Sequence, residues 1–205
     1  KKKFISSVLR FTARYCIIHT NVTSEVIAMK KFTAALLCAL LLFTLCSCAG
    51  NDGNAPDGTT KGVNDPIGCT VYYPEGWKVD RNDGMLTLLY DTSASSMVST
   101  YASISVNLYS TDCKDYTSYW EASADRFAAE LKDFKLIENT ETKLGKVTAG
   151  CYHYTATVDG STYHFVQAIA VGSYEAYIVT FTASEDDYED RRGDFDTIIG
   201  YFEFN

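Results

Sequence analysis

TAGCYHYTATV-DG-STYHFVQAIAV, running from Thr148 to Val171, is the stretch that decides the fold. Two runs rich in β-branched and aromatic residues flank Asp159-Gly160. Such residues suit a pleated, half-buried surface. Asp-Gly between them is a two-residue hairpin turn, because glycine admits positive φ. The turn sets the register. Tyr154 falls opposite Phe165 and Ala156 opposite Tyr163 on one face. Thr155 falls opposite His164 and His153 opposite Val166 on the other.

Working outward, Tyr174 to Ala183 reads as a further strand. Ser184-Glu185-Asp186-Asp187 resembles a capping box with Asp in place of Glu. The helix after it places Tyr188, Arg192, Phe195 and Ile199 on one face and ends at Gly200. Upstream, Asp112 to Lys132 has helical spacing at Tyr116, Tyr119, Trp120, Ser123, Phe127 and Leu131. Asp112 is placed to cap it, with Asp115 in the first turn.

Earlier still the period returns to two. Cys69 to Tyr73 breaks at Pro74-Glu75-Gly76, and Trp77 to Asp80 resumes. Asn82-Asp83-Gly84 turns the chain into Met85 to Asp91. Tyr101 to Tyr109 alternates: Ile104, Val106 and Leu108 face one way, Ser103, Ser105 and Asn107 the other. Thr92 to Thr100 is a Ser/Thr-rich loop. Strands joined by hairpins, then a helix, then strands and a helix predict a single α+β domain over residues 66–205, a largely antiparallel sheet flanked by helices.

The front of the chain is of another kind. Met29-Lys30-Lys31 precedes an uncharged run from Phe32 to Leu45. Its length suits a signal peptide better than a membrane-spanning helix of about 20 residues. Leu45-Cys46-Ser47-Cys48 closes it and resembles a bacterial lipobox. That resemblance implies that residues 29–47 are removed and that Cys48 is lipidated as the first mature residue. Met29 is the natural start, and residues 1–28 read as an over-extension of the gene. Residues 48–65 read as the lipidated cysteine and a flexible linker of Asn, Asp, Gly and Thr.

The formal net charge of −8 hides an asymmetry, since seven of the 18 basic residues and only one of the 26 acidic ones precede Cys48. The chain from Cys48 onward carries 11 basic against 25 acidic side chains, a net charge of −14. So acidic a protein repels nucleic acid and anionic headgroups. Its expected hold on the membrane is through acyl chains on Cys48, and its expected partner is an envelope protein or a small ligand. Cys69, Cys113 and Cys151 allow one disulfide and a spare thiol, or three free thiols. No Cys-x-x-Cys points to redox chemistry.

Several motifs together carry a family resemblance. They are Tyr73-Pro74-Glu75-Gly76-Trp77, the helix followed by Phe134-Lys135-Leu136-Ile137, the Thr180-Phe181-Thr182-Ala183 strand, and Ile198-Ile199-Gly200-Tyr201-Phe202-Glu203-Phe204 at the end. This pattern resembles the PsbP-like family, with its bacterial lipoprotein and DcrB-like relatives. The resemblance implies an antiparallel sheet sandwiched by helices and leaves the activity open.

Three constellations bear on function. Tyr152, Tyr154, Tyr163 and Phe165 share one hairpin face. They are either core or an aromatic binding surface. Cys151, His153 and His164 share the opposite face and are weak candidates for a soft-metal site. Asp186, Asp187, Glu189 and Asp190 sit where acids favour a helix N-terminus, without the loop and turn glycine of a calcium site. No nucleophile elbow, zinc-protease motif or phosphate loop occurs, and no cofactor is implied. The sequence therefore predicts a non-enzymatic, lipid-anchored binding or accessory module on the outward face of a bacterial membrane. The alternatives are a solute-capturing lipoprotein and an envelope hydrolase built on a carboxylate pair.

Overall fold

Hairpin after hairpin builds the sheet. The computed structural model describes residues 55–90 and 102–205. Cys48, the signal before it and the Thr92–Thr100 loop lie outside the described residues. Every described element belongs to the unit Gly53–Asn205.

Strands β1 (Thr59–Asn64) and β2 (Cys69–Pro74) pair antiparallel across a 3₁₀ turn. The main sheet then runs through β3 (Trp77–Asn82), β4 (Leu86–Tyr90) and β5 (Ala102–Ser110). Helix α1 (Tyr116–Glu130) leads into β6 (Lys132–Leu144), β7 (Val147–Val158), β8 (Ser161–Val171) and β9 (Glu175–Ser184). Helix α2 (Glu185–Gly200) and the short β10 (Glu203–Phe204) close the chain. The seven-stranded sheet has the order β3-β4-β5-β9-β8-β7-β6, and β10 joins β2 to complete a three-stranded sheet. Every described strand pair is antiparallel.

The register expected for the main hairpin is the one observed: Tyr154 with Phe165, Ala156 with Tyr163, Thr155 with His164, His153 with Val166. Asp159 and Gly160 both take positive φ, 50° and 85°, as a primed turn requires. Gly145, between β6 and β7, combines a positive φ of 58° with a close approach. A Cβ there would stand 2.1 Å from the Phe202 carbonyl oxygen.

Each helix takes one face of the large sheet. Phe195, Ile198 and Ile199 of α2 pack with Val166, Ala168, Val179, Phe181, Ile104 and Val106. The same helix also lies against β2, so Cys69, Val71 and Tyr73 join this core. Trp77 Nε1 donates to Asp194 Oδ2 at 2.8 Å and ties α2 to the β3 edge. On the opposite face, α1 presses Trp120 and Phe127 onto β7.

Three expectations are corrected. The linker does not reach Asp65: Thr59–Asn64 is strand β1, because pairing along β2 satisfies its backbone despite its polar composition. The cap of α1 is Asp115, not Asp112; its carboxylate accepts from the Ser118 N–H at 2.7 Å in a reciprocal capping box. Ser184 caps α2 by position, yet its hydroxyl donates to Asp187 Oδ2 at 2.5 Å and makes no cap bond to the backbone. Strand β6, Lys132–Leu144, was not expected from the sequence. Most of its side chains are exposed, so no alternation announces it. Register shifts at Lys132/Lys135 and Leu136/Glu138 and a mixture of charges keep this edge from pairing further.

Candidate functional site

The hairpin and α2 together assemble a line of four polar side chains. His153 on β7 and His164 on β8 are diagonal neighbours on the α2 face, as the register requires. His153 Nε2 and His164 Nδ1 are 2.9 Å apart. His164 Nε2 lies 3.0 Å from Glu185 Oε2, and the Tyr188 hydroxyl lies 3.4 Å from His153 Nδ1. Tyr188 also stacks on both imidazoles, at centroid distances of 4.2 Å from His164 and 4.8 Å from His153.

The carboxylate sets the direction of the chain in the state where both imidazoles are neutral. An ionised Glu185 only accepts, so His164 Nε2 carries the hydrogen. A neutral His164 then accepts at Nδ1, and His153 Nε2–H must donate to it. This leaves His153 Nδ1 as acceptor for the Tyr188 hydroxyl. With both imidazoles neutral, every ring nitrogen has a partner.

Electrostatics favour that neutral state at His153. Burial, the neighbouring His164 and the Arg192 guanidinium hold its pKa below the ordinary imidazole value, against the pull of Glu138 and Glu189. Burial also pushes the Tyr188 phenol up. Arg192 itself is paired with Asp196 one turn later in α2.

Cys151 shares this face, buried, with its thiol pushed up by desolvation. The structure therefore brings His153 and His164 together but does not complete a metal site with Cys151. The facing ring nitrogens are spent on each other. Among the described residues no group of three His, Cys, Asp or Glu side chains is placed to hold a metal ion. In the acidic cluster, Asp186, Glu189 and Asp190 are exposed while Asp187 is buried against Ser184.

The aromatic surface is corrected. Tyr152, Tyr154, Tyr163 and Phe165 retain 4%, 3%, 8% and 5% exposure, so they are core. Trp120 stacks on Tyr152, Phe127 stacks on Tyr154, and Phe134 leans on the same Tyr154 ring. An amphipathic helix upstream of an aromatic hairpin, with only β6 between them, has its apolar face to bury, and this is where it goes.

A second feature escaped the sequence. Thr87, Ser105, Thr180 and Gln167 are successive cross-strand partners on β4, β5, β9 and β8, a polar row across the sheet. All four are buried. Gln167 Nε2 donates to Thr180 Oγ1 at 3.3 Å, while Thr87 Oγ1 is buried without a hydrogen-bond partner among the described residues. The alternating Ser103, Ser105 and Asn107 were its signal, but alternation alone reads as a solvated face.

Comparison with known proteins places the fold. No protein-family model matches the sequence, and no curated protein does. The solution structure of cyanobacterial PsbP (CyanoP) from Synechocystis is similar over 78% of this chain and 99% of that one, at 14% identity and TM-score 0.50. LpqN from Mycobacterium tuberculosis, described as involved in cell envelope biogenesis, is similar over 72% of this chain and 90% of that one, at 13% identity and TM-score 0.51. A mutant of the protein Mog1 is similar over 71% and 95%, at 9% identity and TM-score 0.51. At such identities the likeness is one of fold: the domain is a PsbP-like α+β fold.

Proposed function

We propose that this chain is a lipid-anchored protein of the bacterial cell envelope, and that its PsbP-like domain is a non-catalytic binding or accessory module. The observation that carries the reading is the position of Cys48. It follows a short apolar run at the end of a lipobox-like Leu45-Cys46-Ser47-Cys48, and the first strand of the domain starts about ten residues later, at Thr59. Two or more acyl chains on that cysteine supply stable attachment where one chain gives marginal binding. Among the described residues no helix is long and apolar enough to cross a membrane, which is compatible with an anchor of acyl chains.

The binding role is supported by how the domain spends its side chains. The aromatic residues Tyr152, Tyr154, Tyr163 and Phe165 are buried, and His153 and His164 are hydrogen-bonded to each other. The fold likeness to an envelope protein of Mycobacterium tuberculosis and to CyanoP agrees with an accessory role at a membrane. The acidic surface directs the partner away from nucleic acid.

The test is fractionation of cells carrying the wild-type chain or Cys48→Ser, followed by affinity capture with the wild-type chain in detergent. Membrane recovery of the wild type, release of the variant and capture of an envelope component are expected. Equal membrane recovery of the two, or capture of nucleic acid or a cytosolic complex, contradicts the reading.

A further inference from the structure

Strand direction divides the domain into two ends. β7 and β8 join at Asp159-Gly160, so the β6–β7 and β8–β9 turns both lie at the opposite end. The last turn of α2 reaches that end too, where the Ile199 carbonyl accepts from the Gly145 N–H at 2.7 Å. The C-terminal residues follow it: Phe204 meets Tyr177 of β9 edge-on, with ring centroids 4.9 Å apart.

Apolar side chains are exposed at this end. Val147 opens β7, Tyr174 closes the β8–β9 turn, and Tyr201 and Phe204 follow α2. Tyr174 is 75% exposed. These are four of the eight large apolar side chains exposed among the described residues, so the exposure is gathered rather than scattered.

We propose that this end of the domain is a second contact with the membrane: Val147, Tyr174, Tyr201 and Phe204 settle into the headgroup region of the bilayer. This contact presupposes the lipid anchor on Cys48, which holds the domain beside that surface.

Chemistry, charge and reach favour a lipid surface as the occupant. Tyrosine suits a water–lipid boundary, because its ring is apolar and its hydroxyl stays wet. The β6–β7 and β8–β9 turns carry one exposed base, Lys146, and one exposed acid, Glu175. At the other end the β2–β3 turn, the β7–β8 turn and the start of α2 expose Glu75, Asp159, Glu185 and Asp186. Anionic headgroups repel that acidic end and leave the balanced one free to approach. Ten residues separate Cys48 from Thr59, a connection that spans at most about 40 Å when fully extended. Thr59 lies beside Pro74 and Asn64 beside Cys69, so the apolar end is about one six-residue strand, roughly 20 Å, from the point of attachment. The connection is therefore long enough to let this end face the bilayer.

Quenching by brominated lipid tests the contact. The full acylated chain is placed in phosphatidylcholine vesicles whose acyl chains are brominated near the headgroup, and in unbrominated ones. Two variants each add one indole, Tyr174→Trp at the apolar end and Glu75→Trp at the acidic end. Trp77 and Trp120 are buried and give both variants the same background. The emission added by Tyr174→Trp is expected to fall about twofold in brominated vesicles, since interfacial side chains sit at the headgroup–acyl boundary. The emission added by Glu75→Trp should not change. A chain that floats with the vesicles without quenching of Tyr174→Trp overturns the contact and leaves the lipid anchor standing. Equal quenching of both variants overturns it as well. Emission from Tyr174→Trp that responds to envelope extract and not to lipid would make this end a protein surface and overturn the proposal. Quenching of a chain whose Cys48 proves unmodified by mass would overturn the anchor alone, and a chain that does not float overturns both.

Discussion

Trp120 lies flat on Tyr152: the two rings are 7° from parallel and their centroids are 4.1 Å apart. This contact joins the middle of α1 to the hairpin strand β7. It also explains why an aromatic face that reads as a ligand platform in sequence is closed in the folded domain. Phe127 and Phe134 extend the same stack over Tyr154.

Trp120→Ala should therefore destabilise the domain by about 3–5 kcal/mol, the range for emptying a buried large aromatic site. Chemical denaturation followed by tyrosine fluorescence measures it. A loss below about 1 kcal/mol would mean that α1 does not depend on this contact.

At the other half of that face, Thr87 is a buried hydroxyl without a hydrogen-bond partner among the described residues. An unsatisfied buried polar atom costs about 1–3 kcal/mol. Thr87→Val keeps the shape and removes the donor, so it should raise stability by about 1 kcal/mol. A destabilised Thr87→Val in the same denaturation experiment would show that the hydroxyl is bonded in solution.

The thiols should react in a set order. Cys69, Cys113 and Cys151 are all free; Cys69 and Cys151 are buried, and Cys113 is partly exposed. Burial pushes the Cys69 thiol up to about 12. A thiol reagent at mildly alkaline pH should modify Cys113 first and leave Cys69 unmodified until the protein unfolds. Rapid native labelling of Cys69, or a disulfide in the purified protein, would contradict the packing around β2.

The legible parts of this fold were those governed by local chemistry. Asp159-Gly160 with its flanking alternation set the β7–β8 register to the residue, including the adjacency of His153 and His164. Strand β6 was nearly invisible, because an edge strand exposed on both faces has no hydrophobic period. β1 was hidden for a related reason: Thr59 to Asn64 is polar, and only the partner strand makes it a strand. The candidate site was half legible. The two histidines could be placed on one face from the hairpin alone, but Glu185 and Tyr188 come from a helix whose docking depends on Phe195 and Ile198, a tertiary matter. Burial of the Thr87–Ser105–Thr180–Gln167 row was beyond reach for the same reason. Alternation tells which residues share a face, not what covers it.

The most direct test of the envelope reading is the intact mass of the protein extracted from membranes. The account predicts a chain that begins at Cys48, lacks residues 29–47 and carries the added mass of acyl groups on that cysteine. A protein that retains the Phe32–Leu45 run, or one with an unmodified Cys48, would contradict it.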